Sequence, residues 1–347
     1  MDLSQTYSPF RSVLLREWRR MTSRRLYFGV CIVLPLFTLF FMATIFGNGQ
    51  MENIPIGIID QDNTATSRAI TRNISAVPTF KVVKHYVNEA AAREAVQKKE
   101  IYGYLSIPPR FEQNAITGKN ATLSYYYHYA LLSVGGELMA AFETSLAPVS
   151  LSPIIMEAVS LGADQQQITT FLLPVQANNH PIYNPSLDYS VYLSQPFFFV
   201  LFQVLILLTT VYTVGIEIKF RTATDWLATA KGNMISAVLG KLLPYTFIYI
   251  LIGWLGNYVM FGILHIPFQG SWWLINMITV LFVIATQALG LFIFSLFPAV
   301  SLVISVVSMV GSLGATLSGV TFPVSNMYPL VRDASYLFPV RHFTEMI

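Results

Sequence analysis

Apolar positions in this chain follow two patterns. In five stretches, at 26–46, 196–216, 242–264, 273–297 and 299–320, they run on almost unbroken. Each is near the 20 or so residues that a helix needs to cross hydrocarbon. Pro35 sits inside the first stretch, where a membrane helix kinks more than it breaks, and Pro298 parts the last two. The first run exceeds a signal-peptide core and no small-residue cleavage site follows, so it reads as an uncleaved span. After Val320 the pattern breaks into Thr321-Phe322-Pro323-Val324-Ser325-Asn326-Met327-Tyr328-Pro329 and Tyr336-Leu337-Phe338-Pro339. A span ending in such a Pro-rich, half-apolar stretch predicts a re-entrant or interfacial segment over 321–347.

Elsewhere the apolar residues are spaced as in short amphipathic elements. Ser8 and Pro9 suit the cap and first position of a helix. Phe10, Val13, Leu14, Trp18 and Met21 then fall on one face, with the arginines mostly opposite. That is the pattern of a helix lying in a membrane interface, with Arg16, Trp18, Arg19 and Arg20 its characteristic residues. Residues 48–195 are long enough for a core of their own. Strands are predicted at 54–60, 80–86, 101–107 and 123–129, and helices at 64–74 and 88–99, which makes an α/β sandwich. Leu138, Ala141, Phe142 and Ser145, and then 154–172, carry helical spacing.

Composition agrees: 54% of residues are hydrophobic and 11% charged, against roughly 25% charged in a soluble chain. A net charge of +3 gives no electrostatic case for nucleic acid; the placement of the charges matters more. Arg11, Arg16, Arg19, Arg20, Arg24 and Arg25 precede the first span, and Lys219, Arg221, Lys231 and Lys241 lie between the second and third. The link at 265–272 has no Lys or Arg. The positive-inside rule therefore puts residues 1–25 and the loop 217–241 in the cytoplasm and 48–195 outside. The expected fold class is an α-helical polytopic membrane protein with an inserted extracytoplasmic α/β domain: 1–25 interfacial, 26–47 spanning, 48–195 external, 196–320 spanning again.

No catalytic constellation emerges. Asp60-Gln61-Asp62-Asn63 is foremost a turn sequence. His85, His128 and His180 lack ligand spacing, so no metal site is expected, and lone Cys31 makes no intrachain disulfide. Tyr125, Tyr126, Tyr127 and Tyr129 read as an aromatic strand. Gly240-Lys241 is followed by Leu242, and Ile235 stands where a phosphate-binding loop needs its first glycine, so ATP chemistry requires another chain.

Glu217-Ile218-Lys219-Phe220-Arg221, then Thr222-Ala223-Thr224-Asp225-Trp226-Leu227, then Gly240-Lys241-Leu242-Leu243-Pro244-Tyr245 resemble the coupling-helix region of type-2 ABC exporter permeases. Ile56 to Asn63 with Ser67-Arg68, Tyr102 to Pro108 with Phe111, and Ser318-Gly319 through Phe322-Pro323, Met327 and Pro329 resemble the members with a large external domain after the first span. The resemblance implies a permease subunit of an ATP-driven exporter of apolar or amphiphilic cargo, with Glu217, Arg221, Thr224, Asp225 and Trp226 coupling it to an ABC ATPase. It binds no cofactor itself; Mg-ATP belongs to the partner. A second permease, as homodimer or paralogue, and a periplasmic adaptor are the further partners. It also implies a sixth span after the Pro-rich stretch, which the residues up to Ile347 do not show. Gly311, Gly314 and Gly319 are a small-residue face for helix packing, within one subunit or between two. The alternative is a membrane receptor or assembly factor whose external domain binds a ligand or partner; it has no use for a docking helix at 217–241.

Overall fold

The computed structural model describes residues 8–45, 49, 51–117, 121–131, 133–146, 188 and 190–346. The sequence expectation for 154–172 lies outside these residues. The chain divides into two compact units, Met1–Gly49 with Ile182–Ile347, and Gln50–Pro181. The first unit opens with α1 (Pro9–Ser23), capped by the Ser8 hydroxyl, which accepts from Arg11 N at 3.4 Å. Arg24 is extended, and the chain then enters the span α2 (Arg25–Ile45), which passes through a π-turn at Gly29–Val33.

The second unit follows the strand-helix alternation read from the sequence. It comprises β1 (Ile54–Asp60), α3 (Ala65–Ala76), β2 (Phe80–His85), α4 (Glu89–Gln97), β3 (Gly103–Ile107), α5 (Phe111–Ile116), β4 (Ser124–Tyr127) and helix α6 at 133–146. Strand order is β2-β1-β3-β4; β1 runs parallel to both neighbours, and β4 is antiparallel to β3. Ile54, Ile56 and Ile58 pack with Ile70, Ile74, Leu138 and Phe142 of α3 and α6, whereas Ile59 and Tyr104 meet Ala92 and Ala95 of α4. Helices thus cover both faces, which is why β1 is apolar almost throughout and does not alternate. On α3 the inward residues are Ser67, Ile70 and Ile74; Ala65 is exposed. Asp60 and Asp62 are held by the turn: Asp60 accepts from Asp62 N and Asn63 N at 3.0 Å and from Ser67 Oγ at 2.7 Å.

The first unit resumes with α7 (Ser190–Lys219), short α8 (Ala223–Thr229), α9 (Met234–Ile263), α10 (Trp272–Leu296) and α11 (Val300–Leu317), then α12 (Pro329–Ser335) and α13 (Pro339–Glu345). Helices α2, α7, α9, α10 and α11 are the five among the described residues that are long and apolar enough to cross a membrane. Two helix starts differ most from the sequence reading. The α7 helix starts at Ser190 through a π-turn, and α9 starts at Met234, so Lys241 stands inside a helix and not in the loop. An uninterrupted apolar count cannot see such starts, because capping and polar turns belong to the helix too.

Helix α7 is the hub, with aromatic and small residues taking turns on its surface. Phe199 stacks on Phe343 of α13 at 3.7 Å between ring centres, and Phe202 meets Tyr249 of α9 and Phe282 of α10. The Pro-rich tail therefore folds back onto the helices: Val340 N donates to Gln203 Oε1 at 2.9 Å, and buried Arg341 lies over Tyr336.

Candidate functional site

At one end of α7 and α9 the chain gathers five charges, of which Glu17, Glu217 and Lys241 are buried and Arg16 and Arg20 half-buried. Glu17 of α1 is 1% exposed, and Glu217 of α7 and Lys241 of α9 are 0%. Lys241 Nζ donates to Glu17 Oε2 at 2.7 Å and to Glu217 Oε1 at 2.9 Å. Glu217 also accepts from Arg16 at 3.1 Å and from Arg20 and Thr222, while Tyr245 OH donates to Glu17 Oε1 at 2.8 Å. Every carboxylate oxygen has a donor, as burial of such groups demands.

Local sequence explains the arrangement. Gly240 lets α1 come close: a Cβ there would stand 2.9 Å from Phe10 O and 3.0 Å from Val13 Cβ. The next residue, Lys241, then meets Glu17, one turn beyond Val13 on the same face of α1. Glu217 lies in the last turn of α7, whose chain leaves through Phe220 and left-handed Arg221. Thr222 turns back to it with both its hydroxyl and its N–H, the latter on Glu217 O at 2.8 Å. Helix α8 follows, anchored by Trp226, which is 6% exposed; its Nε1 donates to Ala237 O at 3.2 Å, and Lys241 Nζ sits 5.2 Å from its ring centre. Burial alone would lower the Arg20 pKa, but the hydrogen bond and charge of Glu217, with Glu17 beside it, raise it above the ordinary arginine value. The arrangement is a charged junction that ties α1, α8 and the facing ends of α7 and α9 to one another.

The residues singled out in the sequence separate into distinct places. Glu217, Arg16 and Arg20 are in the cluster. Trp226 is the anchor beneath α8 and not part of its outer surface, whereas Arg221, Thr224 and Asp225 are exposed there. Trp18 and Arg19 lie away from the cluster and are exposed, Trp18 to 45%. The buried line of α1 is Val13, Glu17 and Met21, and Arg16 and Arg20 reach Glu217 from beside it. Gly311 and Gly314 pack within the chain, since a Cβ at either would meet Val204 at 2.8 Å or Gln203 Nε2 at 2.6 Å. Gly319, at φ +88, turns the chain after α11. Sequence reasoning missed Glu17, Lys241, Thr222 and Tyr245 as partners. The one signal for them was that Glu17 is the only acid of α1 and interrupts its apolar line.

The family model described as an ABC-2 family transporter protein matches residues 25–347. The probable multidrug ABC transporter permease YbhS of Escherichia coli strain K12 is 29% identical over 114 residues, and the same protein of Escherichia coli O157:H7 gives the same figures. The aligned stretch is 32% of this chain and 29% of that relative's length. No solved structure matches the chain. Matched over nearly its whole length, this polytopic membrane chain belongs to the ABC-2 transporter family.

Proposed function

We propose that this chain is the permease subunit of an ATP-driven exporter, working with an ABC ATPase and a second permease to move an apolar or amphiphilic cargo outward. In this reading α1 and α8 lie on the cytoplasmic side of a bacterial inner membrane, as their Lys and Arg residues favour, and the α/β unit is outside. The observation that carries the reading is the buried cluster. Because Glu217 and Lys241 hold α8 to the ends of two spans, a push on the exposed Arg221, Thr224 and Asp225 moves both spans as one body. Mg-ATP is hydrolysed on the partner, and this chain supplies the lever and the path. That the Escherichia coli relative is a probable multidrug permease supports a drug-like cargo.

The test keeps the anchor and changes the outer surface. Asp225→Lys together with Arg221→Glu is introduced into the full-length gene in its native host, and export of a lipophilic dye is followed beside membrane abundance. Loss of export with unchanged abundance, and loss of a co-purifying ATPase, is expected. Undiminished export would remove α8 from the coupling path, and a chain that never isolates with an ATPase would favour the receptor alternative.

A further inference from the structure

A cleft of about 480 Å³ runs between α1 and α9, walled by Leu14, Leu15 and Trp18 on one side and Leu243, Phe247 and Ile250 on the other. Leu15, Trp18, Leu243 and Phe247 are all exposed large apolar residues. The cleft opens into a row on α9 that continues through Leu251, Trp254 and Tyr258, also exposed. In a membrane protein such a row faces hydrocarbon. Membrane helices pair closely over small residues, as α11 does over Gly311 and Gly314 against α7. The exposed row on α9 has only large ones, which suit a flexible acyl chain better than a second helix.

The charge beside the cleft is of one sign. The sole acid of α1, Glu17, is buried and held by Lys241, so the outward side of the helix carries arginine alone. Arg11 and Arg19 are exposed four residues before and after Leu15, on the helix rows that border the cleft. Trp18 between them is amphipathic, the kind of side chain that settles at the headgroup level. We propose that this cleft binds one anionic glycerophospholipid, its acyl chain along Leu15 and Phe247 and its phosphate at Arg19. The lipid braces α1 against α9 from the side opposite Arg16 and Arg20. The site holds whether or not the chain exports anything, so its test and that of the exporter reading fail independently.

The full chain is purified in mild detergent and titrated with phosphatidylglycerol or phosphatidylcholine, with retention read by native mass spectrometry. Phosphatidylglycerol is expected to bind about fivefold more tightly, the pull of one guanidinium near an anionic headgroup, and Arg19→Gln should erase that preference. A phosphatidylglycerol with a photoreactive acyl chain should label residues 14–18 and 243–250, and Leu15→Glu should abolish the labelling. If Leu15→Glu fails to fold, the Arg19→Gln comparison decides alone. Equal retention of the two lipids, a preference untouched by Arg19→Gln, labelling spread evenly along 251–258, or a cross-link joining two copies through Leu15 would each overturn the proposal.

Discussion

Replacing Lys241 by Met tests the central claim, that α1 is held by charge and not by grease. The ammonium is fully enclosed and touches two carboxylates, at 2.7 and 2.9 Å. At an effective dielectric constant of about 20, each contact is worth roughly 6 kcal/mol before desolvation. Most of that is cancelled by the cost of burying the ions, so the intact cluster adds little net stability. Removing one member is different. In Lys241→Met, Glu17 keeps only Tyr245 and a distant Arg20 at 3.8 Å, and an uncompensated buried charge costs about 3–5 kcal/mol. The thermal transition of the purified chain in detergent should fall by about 4–7 °C, and trypsin should cut at Arg16 and Arg20 as α1 detaches. Adding Glu17→Gln removes the orphaned charge, so the double variant should be more stable than Lys241→Met alone, although each single change destabilises. Two additive losses, or a Lys241→Met chain that melts like the parent, would refute the reasoning.

Trp226→Ala should loosen α8 and cost about 3–5 kcal/mol, as truncating a buried tryptophan does, whereas Asp225→Ala at the exposed surface should leave the melting curve where it was; differential scanning fluorimetry separates them. Gly311→Leu drives its side chain into Val204, 2.8 Å from the first added carbon, so α11 should part from α7 at about 1–3 kcal/mol, visible as new cysteine accessibility at position 204 in a Val204→Cys background. In the α/β unit, burial raises the Glu137 carboxyl above its ordinary pKa. The folded form then holds its proton more tightly than the unfolded one, so this group makes the unit more stable as pH falls from above the folded value to the unfolded one. Amide protection over 133–146, corrected for intrinsic exchange, should rise across that window and become flat in Glu137→Gln.

The spans and the α/β unit were legible because each rests on a local pattern: a continuous apolar run, or strands punctuated by Asn, Asp, Gly and Pro. Ile54 to Asp60 announced a buried strand by composition alone. The cluster was not legible, because nothing near Glu17 in the sequence points to Lys241, 224 positions away. Lys241 read as a flanking charge and Arg16 and Arg20 as a solvated face, which are the ordinary outcomes for such residues. Arg221, Thr224 and Asp225 were found as a segment, but only the fold separates the anchor, Trp226, from the outer surface.

The clamp on α1 also sets an order for making the molecule. Arg16 must wait for Glu217, 201 positions later, and Glu17 for Lys241. At 5–20 residues per second, the interval on the ribosome is roughly ten to forty-five seconds. Through that time the finished first helix lacks Glu217 and Lys241, and Arg16 and Arg20 stay hydrated. The same guanidiniums therefore serve twice, first as hydrated charge while the early chain enters the bilayer, then as fastenings when the end of the second span arrives. Biogenesis returns to its own beginning: the oldest helix is locked only once the second span and the start of the third have been made.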